Sequence, residues 1–312
     1  MIRRLLLAVL VLFLVSLGTF TLIRLVPGDV IDAMAAQQTT ITGDAAAKIR
    51  HDIGLDRPFY RQYLTWMKGL FTGNWGSSIF IGTPVRTNIS KALPVSLEIG
   101  ILALILAICI GIPIGVLSAL RQDKPVDYAG RLIAIGGISM PDFWIGTMFI
   151  LYSSLWWHYQ PPLGWSGFID EPWNNFQRVI FPALILGFRL SASSMRMTRS
   201  TMLEVLRQDY IRTAWSKGLR ERVVIYRHAL KNAMIPVVTI IGSQTALIIG
   251  GTVIIETLFT LPGMGLLTLN AIRQRDYPQV QGNVVVLSTF IVLMNLLVDI
   301  SYAWLDPRIR YR

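Results

Sequence analysis

Six ionisable residues sit within or beside long apolar stretches of this sequence: Arg24, Glu98, Asp142, Arg189, Glu256 and Asp299. A charge at bilayer depth costs at least about 2.5 kcal/mol unless it is paired or wetted, so each needs a partner, an escape to the surface or a polar passage. Most lie toward the end of an apolar run, where snorkelling or a helix-terminus partner accounts for them. Asp142 is the sharper case. It follows Pro141 in "GGISMPDFWIG", where glycines and a proline weaken a helix and free backbone groups that need partners in a protein-lined or watery space. Pro141 and Asp142 are therefore candidates for lining a pathway through the membrane.

Reactive chemistry has little to stand on. A nucleotide-hydrolysing chain needs a glycine-rich phosphate cradle ending in Gly-Lys-Ser or Gly-Lys-Thr, and here no lysine follows a glycine. Gly-x-Ser-x-Gly, His-Glu-x-x-His and a helix-opening Gly-x-Gly-x-x-Gly are also missing. Cys109 stands alone in an apolar run, and His51, His158 and His228 have no ligand spacing. The chain is expected to be no enzyme and to carry no metal or cofactor of its own.

The elements that would position those charges are membrane helices. The chain has 312 residues, 53% hydrophobic and only 15% charged, too apolar for an ordinary soluble enzyme. Six stretches are long enough to span a bilayer, which takes roughly 20 helical residues: 5–26, 95–120, 132–157, 179–195, 234–259 and 284–305. The first also has the look of a secretory signal, with Arg3 and Arg4 ahead of the apolar run. Because that run continues to "FTLIRLVPGD", it is read as a retained span.

A net charge of +11 elsewhere suggests nucleic acid. Here the basic residues follow topology instead. Nine lie between Arg196 and Lys231, and Arg3, Arg4, Arg121, Lys124, Arg131, Arg308, Arg310 and Arg312 fall on the same side. The short connections opposite hold only Arg178, Arg273 and Arg275. Both termini are thus expected in the cytoplasm. The domain plan is a first helix over 1–27, an external loop or cap over 28–94, a transmembrane core over 95–305 and a cytoplasmic tail over 306–312. In the loop, Ile49, Ile53, Phe59, Tyr63, Trp66, Met67 and Leu70 fit one face of a short helix pair broken at Gly54–Pro58. Trp157, Trp165 and Trp173 suit either an interfacial aromatic belt or contact with an external partner.

The stretch from 200 to 233 is wet and cationic between two apolar runs. Thr201 and Glu204 have capping-box spacing, and Leu203, Leu206, Tyr210 and Ala214 recur on one helical face. Gly218 suits the left-handed residue that stops a helix, with Leu219 placed for the accompanying apolar contact. A second helix with the face Val223, Tyr226, Leu230 and Ala233 then leads to Pro236, which opens the next span. Pattern alone leaves two readings of this elbow: an interfacial hairpin drawn to anionic lipid, or a docking surface for another protein.

The stretch "YIRTAWSKGLRERVVIYRHALKNAMIPVV" resembles the cytoplasmic docking loop of importer-type ABC permeases, in the dipeptide/oligopeptide branch. Against that family's signature, Ala214, Gly218 and Leu230 match, while Arg212, Thr213, His228 and Lys231 depart from it as the peptide branch does. "RLVPGD", "GNWGSSI", "TPVRTNISKALPVSLEI", "SMPDFWIG", "ETLFTLPGMGLLTLNAI", "RDYPQVQG" and "NLLVDISYAWLDPRIRY" are similar to stretches of the same branch in the same order. The resemblance implies an all-α, type I ABC importer permease fold in the bacterial inner membrane, without its own ATPase motif. It also implies a homologous second permease, two ATPase subunits that hold ATP and Mg, and an external solute-binding protein. Ala214 and Gly218 would seat the elbow on the ATPase, with Tyr210, Lys217 and Arg220 beside them. The implied cargo is di- or oligopeptide; relatives of that branch carry nickel, glutathione, sugars or opines. From another class, a stand-alone secondary transporter or channel would need inverted repeats and midplane ion-coordinating residues, and neither is visible in the sequence.

Overall fold

The structure, a computed structural model, describes residues 2–25, 47, 50, 51, 54–162 and 164–305. Among them the only strand-like pairing is a single bridge between Ser77 and Pro84; everything else regular is helix. In chain order the helices are α1 (Ile2–Leu25), α2 (Phe59–Thr72), α3 (Val85–Leu106), α4 (Ile112–Leu120), α5 (Pro125–Ser139), α6 (Asp142–Trp157), α7 (Pro172–Leu206), α8 (Asp209–Ser216), α9 (Lys231–Leu258), α10 (Met264–Gln274) and α11 (Tyr277–Leu305). Two wider, π-helical segments join neighbours without a break, Ala107–Gly111 between α3 and α4 and Val223–Leu230 ahead of α9. The chain divides into two compact units. One holds Met1–Val95 with Pro262–Phe290, the other Ser96–Leu261 with Ile291–Arg312.

Among the described residues four helices are long and apolar enough to cross a membrane: Arg4–Leu25, Val85–Leu120, Pro172–Leu206 and Tyr277–Ser301. The expected third span is not one straight rod. It is the pair α5 and α6, bent by 98° at Met140–Pro141, where the glycines and Pro141 had marked a weak point. The expected fourth span, 179–195, lies inside the 35 residues of α7. That helix overruns the apolar stretch because its polar ends are held by packing: Asn175 on one side and Thr198, Thr201 and Met202 on the other are buried. The second expected span likewise begins ten residues early, at Val85. The fifth falls within the 28 residues of α9 except for Phe259, which caps it, and Pro236 is inside that helix and not at its start.

In the first unit, α1 exposes leucines and valines along most of its length, as a lipid-facing helix does, but Phe20 is fully buried. Its ring meets Tyr63 of α2 edge-on at 5.2 Å and Phe59 at 5.1 Å. Gly54 is left-handed and Pro58 caps α2, so the chain turns where "GLDRP" suggested. Tyr63 is the buried residue of the expected apolar face; Ile49 and Ile53 lie outside the described residues. Asp276 caps α11. Its carboxylate accepts the Gln279 amide at 3.3 Å, the Ile79 amide at 3.2 Å and the Ser78 hydroxyl.

The second unit is organised around α7. Gly111 and Gly115 let α4 approach it until no side chain fits between: an added Cβ would stand 2.7 Å from the Ser191 carbonyl oxygen at the first and 2.7 Å from the Met195 carbonyl oxygen at the second. This is the small-residue contact by which membrane helices pack when no hydrophobic effect separates lipid from protein.

Candidate coupling elbow and pathway residues

The elbow begins where α7 ends. Arg207 closes α7, and Gln208 adopts an extended conformation (φ −74°, ψ 149°) that breaks the helix before α8 starts. Thr201 is not a cap. It lies within α7, and its hydroxyl donates back to the Met197 carbonyl at 3.0 Å, the habit of a threonine inside a helix. The break also turns the buried face of α8 by one position: Ile211 and Ala214 are buried and Tyr210 is exposed.

Helix α8 ends as its sequence implies. Gly218 has φ +73°, the Leu219 amide donates to the Ala214 carbonyl at 3.4 Å, and the Gly218 amide donates to the Trp215 carbonyl at 2.9 Å. These two bonds make a Schellman turn, which satisfies carbonyls the helix end would otherwise leave open. An added Cβ at Gly218 would meet nothing within 4 Å, so backbone conformation alone demands glycine there.

Beyond the turn, the winding explains a shifted face. In a π-helix each hydrogen bond reaches five residues along the chain instead of four, which widens the turn, and the buried positions are Val224 and Ile225, then Ala229, with Leu230 packed beside them. Val223 is half-buried and Tyr226 is 60% exposed, so the first half of the expected face is displaced, while Leu230 and Ala233 pack as expected. Val224, Ile225, Ala229 and Ala233 pack with Ile211 and Ala214 of α8, Met202 of α7 and Val116 and Ala119 of α4 in one cluster. Fully burying a valine, isoleucine or methionine contributes roughly 1.5–3 kcal/mol each, so the elbow is fixed to the ends of two long helices. Tyr210 adds a polar tie, accepting from Asn232 Nδ2 at 2.8 Å.

The five elbow residues singled out in the sequence therefore divide. Ala214 points inward and is 7% exposed; it holds the elbow together instead of offering a surface. Tyr210, Lys217, Gly218 and Arg220 are exposed, beside Trp215, Leu219 and Tyr226, which are exposed too.

Two arginines of α7 reach the bent pair α5–α6. Arg199 forms two bonds to Asp127 of α5, Nε to Oδ1 at 2.6 Å and an Nη to Oδ2 at 2.8 Å. Asp127 has no exposed side-chain surface and also accepts from Arg131 at 2.5 Å, the Asp123 amide at 3.0 Å and the Ser118 hydroxyl. Ten residues earlier, Arg189 makes a single bond to Asp142 Oδ2 at 2.9 Å, and its side chain is 59% exposed. Asp142 Oδ1 is inaccessible and has no partner among the described residues. Pro141 caps the helix that presents Asp142. The sequence drew attention to Asp142 and Arg189 separately. It missed Asp127 and Arg199, although the four-residue spacing of Asp127 and Arg131 on a helix was a usable signal.

Among the described residues the chain is helical, with several bilayer-length helices and an elbow bound to their ends, as the type I fold of ABC importer permeases requires. Residues 111–311 match the family described as binding-protein-dependent transport system inner membrane component, and residues 1–84 match the N-terminal model of the same membrane component. The chain belongs to this family. It is 39% identical to the dipeptide transport system permease protein DppB of Alkalihalophilus pseudofirmus, over 99% of this chain and 98% of that one. It is also 39% identical to the protein of the same name in Escherichia coli K12, over 96% and 94%. With the di/tripeptide transport system permease protein DppB of Pseudomonas aeruginosa it shares 38%, over 99% and 98%. The chain is a multi-pass inner-membrane permease subunit of an ABC importer.

Proposed function

We propose that this permease carries di- or oligopeptides, delivered by an external binding protein, through a pathway it forms with a homologous second permease. Two ATPase subunits, which bind ATP and Mg, drive it by gripping the elbow over 200–233. Six spans place both termini in the cytoplasm, with the external cap before α3. The names of the relatives support the cargo; nickel, glutathione, sugars or opines are the alternatives.

One observation carries the coupling role: a glycine-stopped, exposed turn lies over a buried cluster that joins it to α4, α7 and α9. A partner pressing on Tyr210, Lys217, Gly218 and Arg220 pushes on all three helices together. That is rigid-body switching, in which the elbow acts as a lever. Movement of α7 and of α5–α6 then changes the surroundings of Pro141, Asp142 and Arg189, the polar group assigned to the pathway.

Gly218→Val tests this reading. Placing a β-branched residue at φ +73° costs more than the ~1–2 kcal/mol of a left-handed L-residue. In the complete transporter reconstituted in vesicles, peptide uptake should fall roughly tenfold or more while ATP hydrolysis persists. Unaltered uptake refutes the coupling role, and uptake by the purified chain without ATPases would make it a stand-alone transporter.

A further inference from the structure

Within the first unit a cavity of about 450 Å³ opens beside the end of α1. This is within the usual range for small-molecule sites. Two guanidinium groups line it, those of Arg24 and Arg57, together with Gln62, Gln281 and the indoles of Trp66 and Trp75, and no lining residue is acidic.

The local structure holds these groups in place. Arg24 lies over the Phe20 ring at 3.6 Å and donates from Nε to Gln62 Oε1 at 2.9 Å. Gln62 donates in turn to the Leu55 and Arg57 carbonyls, at 3.2 and 2.8 Å, which fixes the turn ahead of α2. Arg57 folds back over left-handed Gly54: an added Cβ there would lie 3.7 Å from its Nε. On the far side, Trp75 donates its indole N–H to the Leu70 carbonyl at 3.2 Å, which sets the ring. Gln281 is 3% exposed, and its Nε2 has no partner among the described residues. A buried amide donor without an acceptor is a costly arrangement, and an acceptor arriving in the cavity relieves it.

We infer that this cavity binds an oxyanion group, a carboxylate or a phosphate, carried on a small organic body that packs against the indoles. Arg24, held by Gln62, an exposed Arg57 and a spare donor favour an acceptor-only anion, and guanidinium groups suit both oxyanions through paired N–H bonds. The site repels a cation, and a purely apolar ligand would leave the Gln281 donor unpaired. Two sources supply such a group at the end of a membrane helix flanked by tryptophans: an anionic phospholipid headgroup and a carboxylate-bearing solute. The inference does not depend on the coupling role of the elbow.

Isothermal titration of the purified full chain in an uncharged detergent tests it, with dihexanoylphosphatidylglycerol, dialanine and the C-terminal amide of dialanine as probes. Saturable binding of the phospholipid assigns the site to lipid. Binding of dialanine but not its amide assigns it to a solute. In either case affinity should fall as salt rises, and both Arg57→Gln and Gln281→Leu should weaken it about tenfold or more. Gln281→Leu should leave the thermal midpoint unchanged or higher, because it removes an unpaired buried donor. Failure of both the phospholipid and dialanine to bind, equal binding of dialanine and its amide, or unchanged affinity in Arg57→Gln overturns the inference.

Discussion

Helix α7 carries two arginines ten residues apart, each bonded to an aspartate of the bent pair α5–α6, and the two pairs differ in almost every respect. Arg199 grips a carboxylate with no exposed surface, whose oxygens are also met by Arg131, Ser118 and a backbone amide. Arg189 is more than half exposed, makes one bond, and leaves one oxygen of its aspartate without a partner among the described residues. The first pair is saturated and the second has capacity to spare. A buried ion pair is retained at a tolerable cost only when its remaining hydrogen-bonding positions are filled. By that criterion Asp127–Arg199 is a clamp. Asp142–Arg189, set in an apolar stretch of α7 beside a broken helix, has room for another polar group.

The largest expected effect comes from breaking the clamp. Asp127→Ala strands the partly buried Arg199, while Arg131 keeps its bond to Asp123 at 2.8 Å; it should lower stability by about 3–5 kcal/mol, read as a loss of folded protein and a lower thermal midpoint. A variant of wild-type stability would erase the distinction between the pairs.

Arg189→Gln should do the opposite. Its pair is exposed enough for stability to change by only ~0–1 kcal/mol, while uptake by the reconstituted transporter falls roughly tenfold, the equivalent of 1.4 kcal/mol. Were the midpoint to drop as far as in Asp127→Ala with uptake per folded molecule intact, the second pair would be another clamp. Asp142→Asn should follow Arg189→Gln in direction with a smaller loss, because the amide keeps an oxygen for the guanidinium.

The smallest change belongs to Arg131→Gln. Its partly exposed guanidinium is the second cation on Asp127 and adjoins solvent, so removal should lower the thermal midpoint only slightly. A loss as large as that of Asp127→Ala would move the centre of the clamp from Arg199 to Arg131.

What the sequence made legible was local. Gly218 announced its left-handed turn because only backbone conformation is involved, and Pro141 announced the break in the same way. Leu230 and Ala233 of the elbow's expected face are in the cluster, but Val223 and Tyr226 are not, because an α-helical period does not hold over the π-helical winding of Val223–Leu230, which places Val224 and Ala229 on one side. Thr201 read as a cap because the polar ends of α7 look like a boundary; packing against α4 carries the helix through them. Ala214 matched a motif, but a match does not say which way a side chain points. The ion pair between Asp127 and Arg199 spans 72 residues, and without related sequences nothing links positions so far apart. The spacing of Gly111 and Gly115 in "GIPIG" was readable as a helix-contact motif and is the signal that could have placed α4 against α7 in advance.

That glycine contact has a mechanical consequence. At Gly111 and Gly115 backbone rests on backbone, so α4 and α7 bend and tilt there as one laminated beam, and a single methyl group inserted at either glycine would delaminate it.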